Sequence, residues 1–83
     1  MESTGLQSTV VDAVVEVCGI EANSLVADAT LSDLGVDSLD LLEVAMIVED
    51  ETGIVVQAED FEGVETFGAA VAVFERLQRA NAS

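Results

Sequence analysis

Seventeen carboxylates face only two cations, Arg76 and Arg79, in this chain of 83 residues. A carboxylate taken out of water without a cationic partner is heavily penalised, so almost every charge must stay at the surface and the core must be purely apolar. The composition permits this, with 51% hydrophobic residues, only 4% aromatic residues and no proline. Such an excess of aliphatic side chains rules out a disordered acidic tail and points to helices around a modest core. The length suits one domain, residues 1–83 with an ordered core over about 4–80, and leaves little room for a deep active site. A formal net charge of −15 repels phosphate backbones and anionic lipid, which argues against nucleic acids and membranes as partners and favours basic proteins.

With no histidine and a single cysteine, Cys18, the chain has no means of building a histidine-dependent triad, a histidine zinc site or an iron–sulfur cluster. Most enzymatic chemistry is thereby excluded. One cysteine forms no intramolecular disulfide, which fits a reducing, cytoplasmic setting and makes Cys18 most simply a small buried apolar residue. Met1 to Thr9 carries no positive charge and no continuous apolar run, so neither a signal peptide nor a membrane span is expected. Asp33, Asp37 and Asp40 cluster, as do Glu49, Asp50 and Glu51. Neither group has the alternating ligands, central glycine and closing glutamate of a calcium loop, and no metal site is expected.

Leu6, Val10, Ala13, Val14 and Val17 recur at the spacing of one helical face, with Ser3 or Thr4 as cap and Gly19 as stop. The run of valines lowers helix propensity, so burial must hold this first helix. From Ile20 to Val36 the period disappears and turn-forming residues dominate, predicting a long loop. A loop of that length must be pinned to the core, and Leu25, Val26, Leu31 and Leu34 are the candidate anchors. Within it, Thr30 to Gly35 reads as one capped turn ending on a left-handed glycine.

Asp37 or Ser38 caps a second helix that runs to about Thr52 and stops at Gly53. At about 100° per residue, Leu41, Val44, Ala45, Val48 and Thr52 share one side, while Asp40, Glu43, Ile47 and Asp50 share the other. Leu39, Leu42 and Met46 lie beside the acidic stripe, so that face mixes carboxylates with apolar groups as recognition surfaces do. Ile54 to Val56 is too short for a strand and reads as an anchored loop. Ala58 to Gly63 forms a short helical turn. Thr66 caps a last helix carrying Phe67, Ala70, Val71, Phe74 and Leu77 at helical spacing, with Arg76 and Arg79 near its negative end. The expected fold is all-α: a small four-helix bundle with a long loop between helices one and two and a short third helix.

Ser38 is the sharpest feature. A hydroxyl at a helix start lies beside unpaired backbone amides and the positive end of the helix dipole, where a phosphate is favoured. The chain offers no base to activate it, so Ser38 reads as the substrate of another enzyme; the plainer alternative is a simple helix cap. The surrounding Asp33-Leu34-Gly35-Val36-Asp37-Ser38-Leu39 resembles the phosphopantetheine-attachment motif of acyl carrier proteins, an Asp-Ser-Leu preceded by a Leu-Gly pair. The likeness extends over nearly the whole chain, from the first helix through the long loop to the Thr66-capped last helix.

That resemblance implies a non-catalytic, monomeric carrier. A phosphopantetheinyl transferase moves 4′-phosphopantetheine from coenzyme A to Ser38, and the arm's thiol carries an acyl thioester to fatty-acid or polyketide synthase enzymes with basic docking patches. The docking positions it implies, together with the apolar neighbours on that face, are Asp37, Leu39, Asp40, Leu42, Glu43, Met46, Ile47, Glu49 and Asp50. Leu31, Val44, Ala45, Val48, Val56, Val64 and Ala70 match the family's acyl pocket, although plain core packing accounts for them equally well. Thr52 and Gln57 replace a bulky aromatic and a proline common in fatty-acid carriers, and Phe74 and Val73 stand where a tyrosine is common, which leaves a specialised pathway open. A peptidyl carrier, usually with Gly-Gly before the Asp-Ser or His-Ser pair, is the nearest rival, and Val36 takes the second glycine's place. An unmodified acidic protein that binds a basic partner is the rival from another class.

Overall fold

The computed structural model describes the backbone of residues 2–82 and the side chains of 5–80. Four α-helices follow in order: α1 (Glu2–Cys18), α2 (Leu31–Leu34), α3 (Ser38–Thr52) and α4 (Phe67–Ala82). No strand is present among the described residues. The expected first, second and last helices are α1, α3 and α4. The expected third is a single 3₁₀ turn, Ala58–Phe61, and the capped turn expected inside the long loop is α2.

Burial drives α1 as its valines require. Leu6, Val10, Ala13 and Val14 are buried, and the helix stops where Gly19 turns left-handed and donates to the Val15 carbonyl at 2.9 Å. Ser3 and Thr4 fall inside the first turn of α1 rather than at its cap, and their side chains lie outside the described residues. The inner face of α1 packs against α3 and, to a smaller extent, α4. One apolar cluster joins these helices to Leu31 of α2 and to Leu25, Val36 and Ile54 from the connections.

The long loop is held by its backbone as well as by buried leucines. Leu31 donates to the Glu65 carbonyl at 2.8 Å, Phe67 to Ala29 at 2.8 Å and Gly68 to Ala27 at 3.1 Å, forming an antiparallel bridge between Thr30 and Thr66. Leu25 and Leu31 anchor it as expected and Leu34 packs partly against the core, but Val26 is 55% exposed. The neighbouring Ala27 and Ala29 carbonyls do the anchoring, and they leave the Val26 side chain facing water.

Caps fix the remaining boundaries. The Thr30 hydroxyl accepts from the Asp33 amide at 3.2 Å to open α2, which closes on left-handed Gly35. Left-handed Gly53 ends α3, and the Thr66 hydroxyl accepts from the Ala69 amide at 3.1 Å to open α4. Thr52, expected on the packing side of α3, is exposed at the helix end. Its hydroxyl donates to the Val48 carbonyl at 2.7 Å and accepts from the Ile54 amide at 3.2 Å, bending the chain so that Ile54 re-enters the core. The Gln57 amide donates to the Asp60 carboxylate at 2.9 Å to start the 3₁₀ turn, a bond that proline has no hydrogen to make.

Candidate functional site

The start of α3 is closed by a reciprocal pair of carboxylates. Asp37 accepts from the Asp40 amide at 2.9 Å, and Asp40 accepts from the Asp37 amide at 3.2 Å. Asp37 is therefore the cap, and Ser38 is the first helical residue. The Ser38 side chain is exposed, and its hydroxyl bonds to no described residue. The Ser38 and Leu39 amides are the first of the helix and have no acceptor within it.

Beside Ser38 opens a groove of about 830 Å³. The turn from Thr30 to Val36 lines one part of it, Leu41 and Leu42 of α3 another, and Ala58, Phe61 and Val64 a third. Asp37, Glu62 and Glu65 are the carboxylates around it. An exposed hydroxyl without an internal partner, next to an apolar-walled groove, fits a covalently attached flexible group.

Helix α3 presents the expected mixed face. Leu39 and Met46 are each 68% exposed, and Glu43, Glu49 and Asp50 are exposed with them. Asp40, Leu42 and Ile47 are half-buried, with Ile47 packed against the core. Asp37 is exposed and Asp40 half-buried, and both carboxylates also hold the helix end.

The positions matched to an acyl pocket separate into two groups. Leu31 and Val64 line the groove. Val44, Ala45, Val48 and Ala70 are buried in the core cluster and Val56 is packed partly against it, and none of these five lines the groove. Val36, Leu41 and Phe61 line the groove without having stood out in the sequence. Val36 lies in an aperiodic loop, Leu41 reads as ordinary packing, and Phe61 belongs to a turn too short to show a period.

Cys18, at the end of α1, lies near the head of α3. Burial pushes its thiol up from the ordinary value of 9.0, and the carboxylates of Asp40, Asp37 and Glu43 push it further. It is half-buried, and a thiol so disfavoured as a thiolate is a weak nucleophile at neutral pH. Among the described residues no group of three or more side chains is placed to hold a metal ion, and no helix is long and apolar enough to cross a membrane.

A family model described as a phosphopantetheine attachment site matches residues 8–74. The match runs from the first half of α1 to the buried Phe74 of α4 and takes in the groove and the capped start of α3. On that extent the chain belongs to the phosphopantetheine-attachment family and is a carrier protein for covalently bound 4′-phosphopantetheine.

Proposed function

We propose that Ser38 is the attachment point and that this single carrier domain, acting in the cytoplasm as a monomer, delivers acyl intermediates to fatty-acid or polyketide synthase enzymes. The observation that carries the reading is the free, exposed Ser38 hydroxyl, set one residue past the Asp37 cap and beside the groove. When bound, the arm supplies a terminal thiol that holds the acyl group as a thioester. The chain's own part is to present the hydroxyl and to be recognised. The carboxylates at the helix start, Asp37 and Asp40, are already bonded to backbone amides, and the chain has no histidine or lysine to serve as a base, so an external transferase is expected to activate the hydroxyl.

The nearest carboxylate and the helix end act on a phosphate at this position with opposite signs. Asp37 opposes a phosphate by about 1 kcal/mol at the dielectric of water, and the helix end returns about 0.3–1 kcal/mol. A covalent bond tolerates that balance. Val36 supports an acyl over a peptidyl cargo class, since it is buried where a peptidyl carrier has glycine, and a glycine there would leave the core short of a side chain. The Leu39, Glu43, Met46 and Asp50 face supports docking to basic partners, with charges that steer encounter and apolar groups that settle the contact.

Intact-protein mass after treatment with coenzyme A, magnesium and a promiscuous phosphopantetheinyl transferase tests the reading. One phosphopantetheinyl group is expected on the parent chain and none on Ser38→Ala. A folded parent that gains no mass, or a Ser38→Ala protein that gains it equally, refutes Ser38 as the site. Glu43→Lys is expected to slow modification while leaving the thermal transition in place, and an unchanged rate would remove this face from docking to the transferase.

A further inference from the structure

The turn that carries Ser38 has no side chain of its own in the core. Asp37, Ser38 and Leu39 are exposed and Asp40 is half-buried. The buried residues on either side are Val36 and Leu41, both members of the core cluster. Leu41 lies within α3 and moves with it. Val36 lies outside the helix, and between α2 and α3 it is the one side chain in the core, since Gly35 has none and Asp37 is exposed. Its backbone is fixed as well. Directly after left-handed Gly35, the Val36 amide donates to the Leu31 carbonyl at 2.9 Å, and the Leu31 amide in turn donates to the Glu65 carbonyl at 2.8 Å. Val36 thus ties the segment two residues before Ser38 to the bridged wall of the groove.

Helix ends fray, and a cap bond alone gives only a severalfold preference for the closed turn. Resting on the reading of Ser38 as the attachment point, we propose that Val36 is a positioning residue for the transfer: its buried side chain pins the open end of the α3 start, so that the Ser38 hydroxyl meets the transferase in one place. In that step the Ser38 oxygen bonds to the phosphorus that bears the pantetheine, its proton passes to a base of the transferase, and adenosine bisphosphate departs with the bridging oxygen. Docking rests on the exposed outer face of α3, to which Val36 does not belong. Val36 therefore acts on kcat, and that face acts on KM.

The test measures kcat and KM for the carrier, with a promiscuous phosphopantetheinyl transferase, coenzyme A and magnesium, on the parent, Val36→Ala, Val36→Ile and Val10→Ala. Val10 is fully buried in α1 and lines no part of the groove, so it reports what the same truncation does elsewhere in the core. Val36→Ala is expected to lower kcat roughly tenfold, within the ~10²-fold that misplacing a reacting group by about 1 Å costs, with KM in place. Val36→Ile is expected to keep the parent kcat, and Val10→Ala to lose thermal stability without losing kcat. A folded Val36→Ala that turns over like the parent, or a change confined to KM, overturns the proposal, as does a Val10→Ala protein that slows equally. A parent that gains no phosphopantetheinyl group overturns the Ser38 reading and this proposal with it. Should Val36→Ala lose its cooperative thermal transition, all four proteins are compared in sucrose, which favours the compact state without screening charge.

Discussion

At the scale of single residues, the start of α3 divides two jobs between neighbours. Asp37 makes the cap bond, and Ser38 makes none, so the hydroxyl is free without loss to the helix. Asp37→Ala is therefore expected to lower stability by about 1 kcal/mol, and Ser38→Ala to change it by less than about 0.5 kcal/mol. Urea unfolding of the two variants checks this, and a larger loss for Ser38→Ala would place the cap on the wrong residue. Cys18 offers a second, unusually isolated test. The chain has no tyrosine or histidine and its two basic residues are arginines, so Cys18 is the only side chain that titrates between about pH 8.5 and 12. Its folded value lies above the ordinary 9.0, so the unfolded chain loses this proton first. The stability it contributes is whole below pH 9.0 and is lost as pH rises through the folded value. Melting temperature is expected to fall across that alkaline range in the parent and to stay flatter in Cys18→Ala. Parallel curves would show that burial and the three carboxylates do not act on the thiol.

At the scale of elements, the bridge between the long loop and the start of α4 holds one wall of the groove in place. Its tightest point is Gly68, where an added Cβ would lie 3.0 Å from both the Cβ and the carbonyl oxygen of Ala27. Alanine improves helix propensity by at most about 1 kcal/mol, whereas the crowding forces apart a bridge made of three backbone bonds and costs roughly 1–3 kcal/mol. Gly68→Ala is thus expected to be destabilising, with faster hydrogen exchange at the Leu31 and Phe67 amides. A variant as stable as the parent would show that the loop yields freely. This bridge also marks the limit of what could be read in the sequence. Local chemistry announced itself: Thr30 and Thr66 as caps, Gly35 and Gly53 as stops, and the two-sided pattern of α3. Pairing between Ala27–Leu31 and Glu65–Gly68 is made by amides and carbonyls that every residue carries, so no side-chain pattern reveals it. For the same reason Val26 looked like an anchor when the carbonyls beside it hold the loop. The groove was legible only at Leu31 and Val64, because a hollow between three segments depends on how they meet.

At the scale of the whole molecule, the charge excess acts on stability and on recognition with opposite signs. Two carboxylates 10 Å apart in water repel by about 0.4 kcal/mol, and with seventeen of them against two arginines the sum opposes the compact state. Added salt shortens the screening length from about 30 Å at 0.01 M to about 10 Å at 0.1 M, which relieves that repulsion. For a domain of this size each kcal/mol of relief raises the melting temperature by about 4–8 °C, so sodium chloride is expected to stabilise the fold by several degrees. Magnesium should do the same by gradual screening, since no metal-holding cluster exists among the described residues. A sharp stoichiometric rise with magnesium that sodium never reproduces would instead reveal a specific site. On the proposed docking of the α3 face to a basic enzyme, the same salt weakens the attraction, so the rate of modification at subsaturating carrier should fall over the range in which the melting temperature rises. Opposed trends in one titration would trace both effects to one set of surface carboxylates, whereas a rate that climbs with salt would mean that encounter is not steered by them.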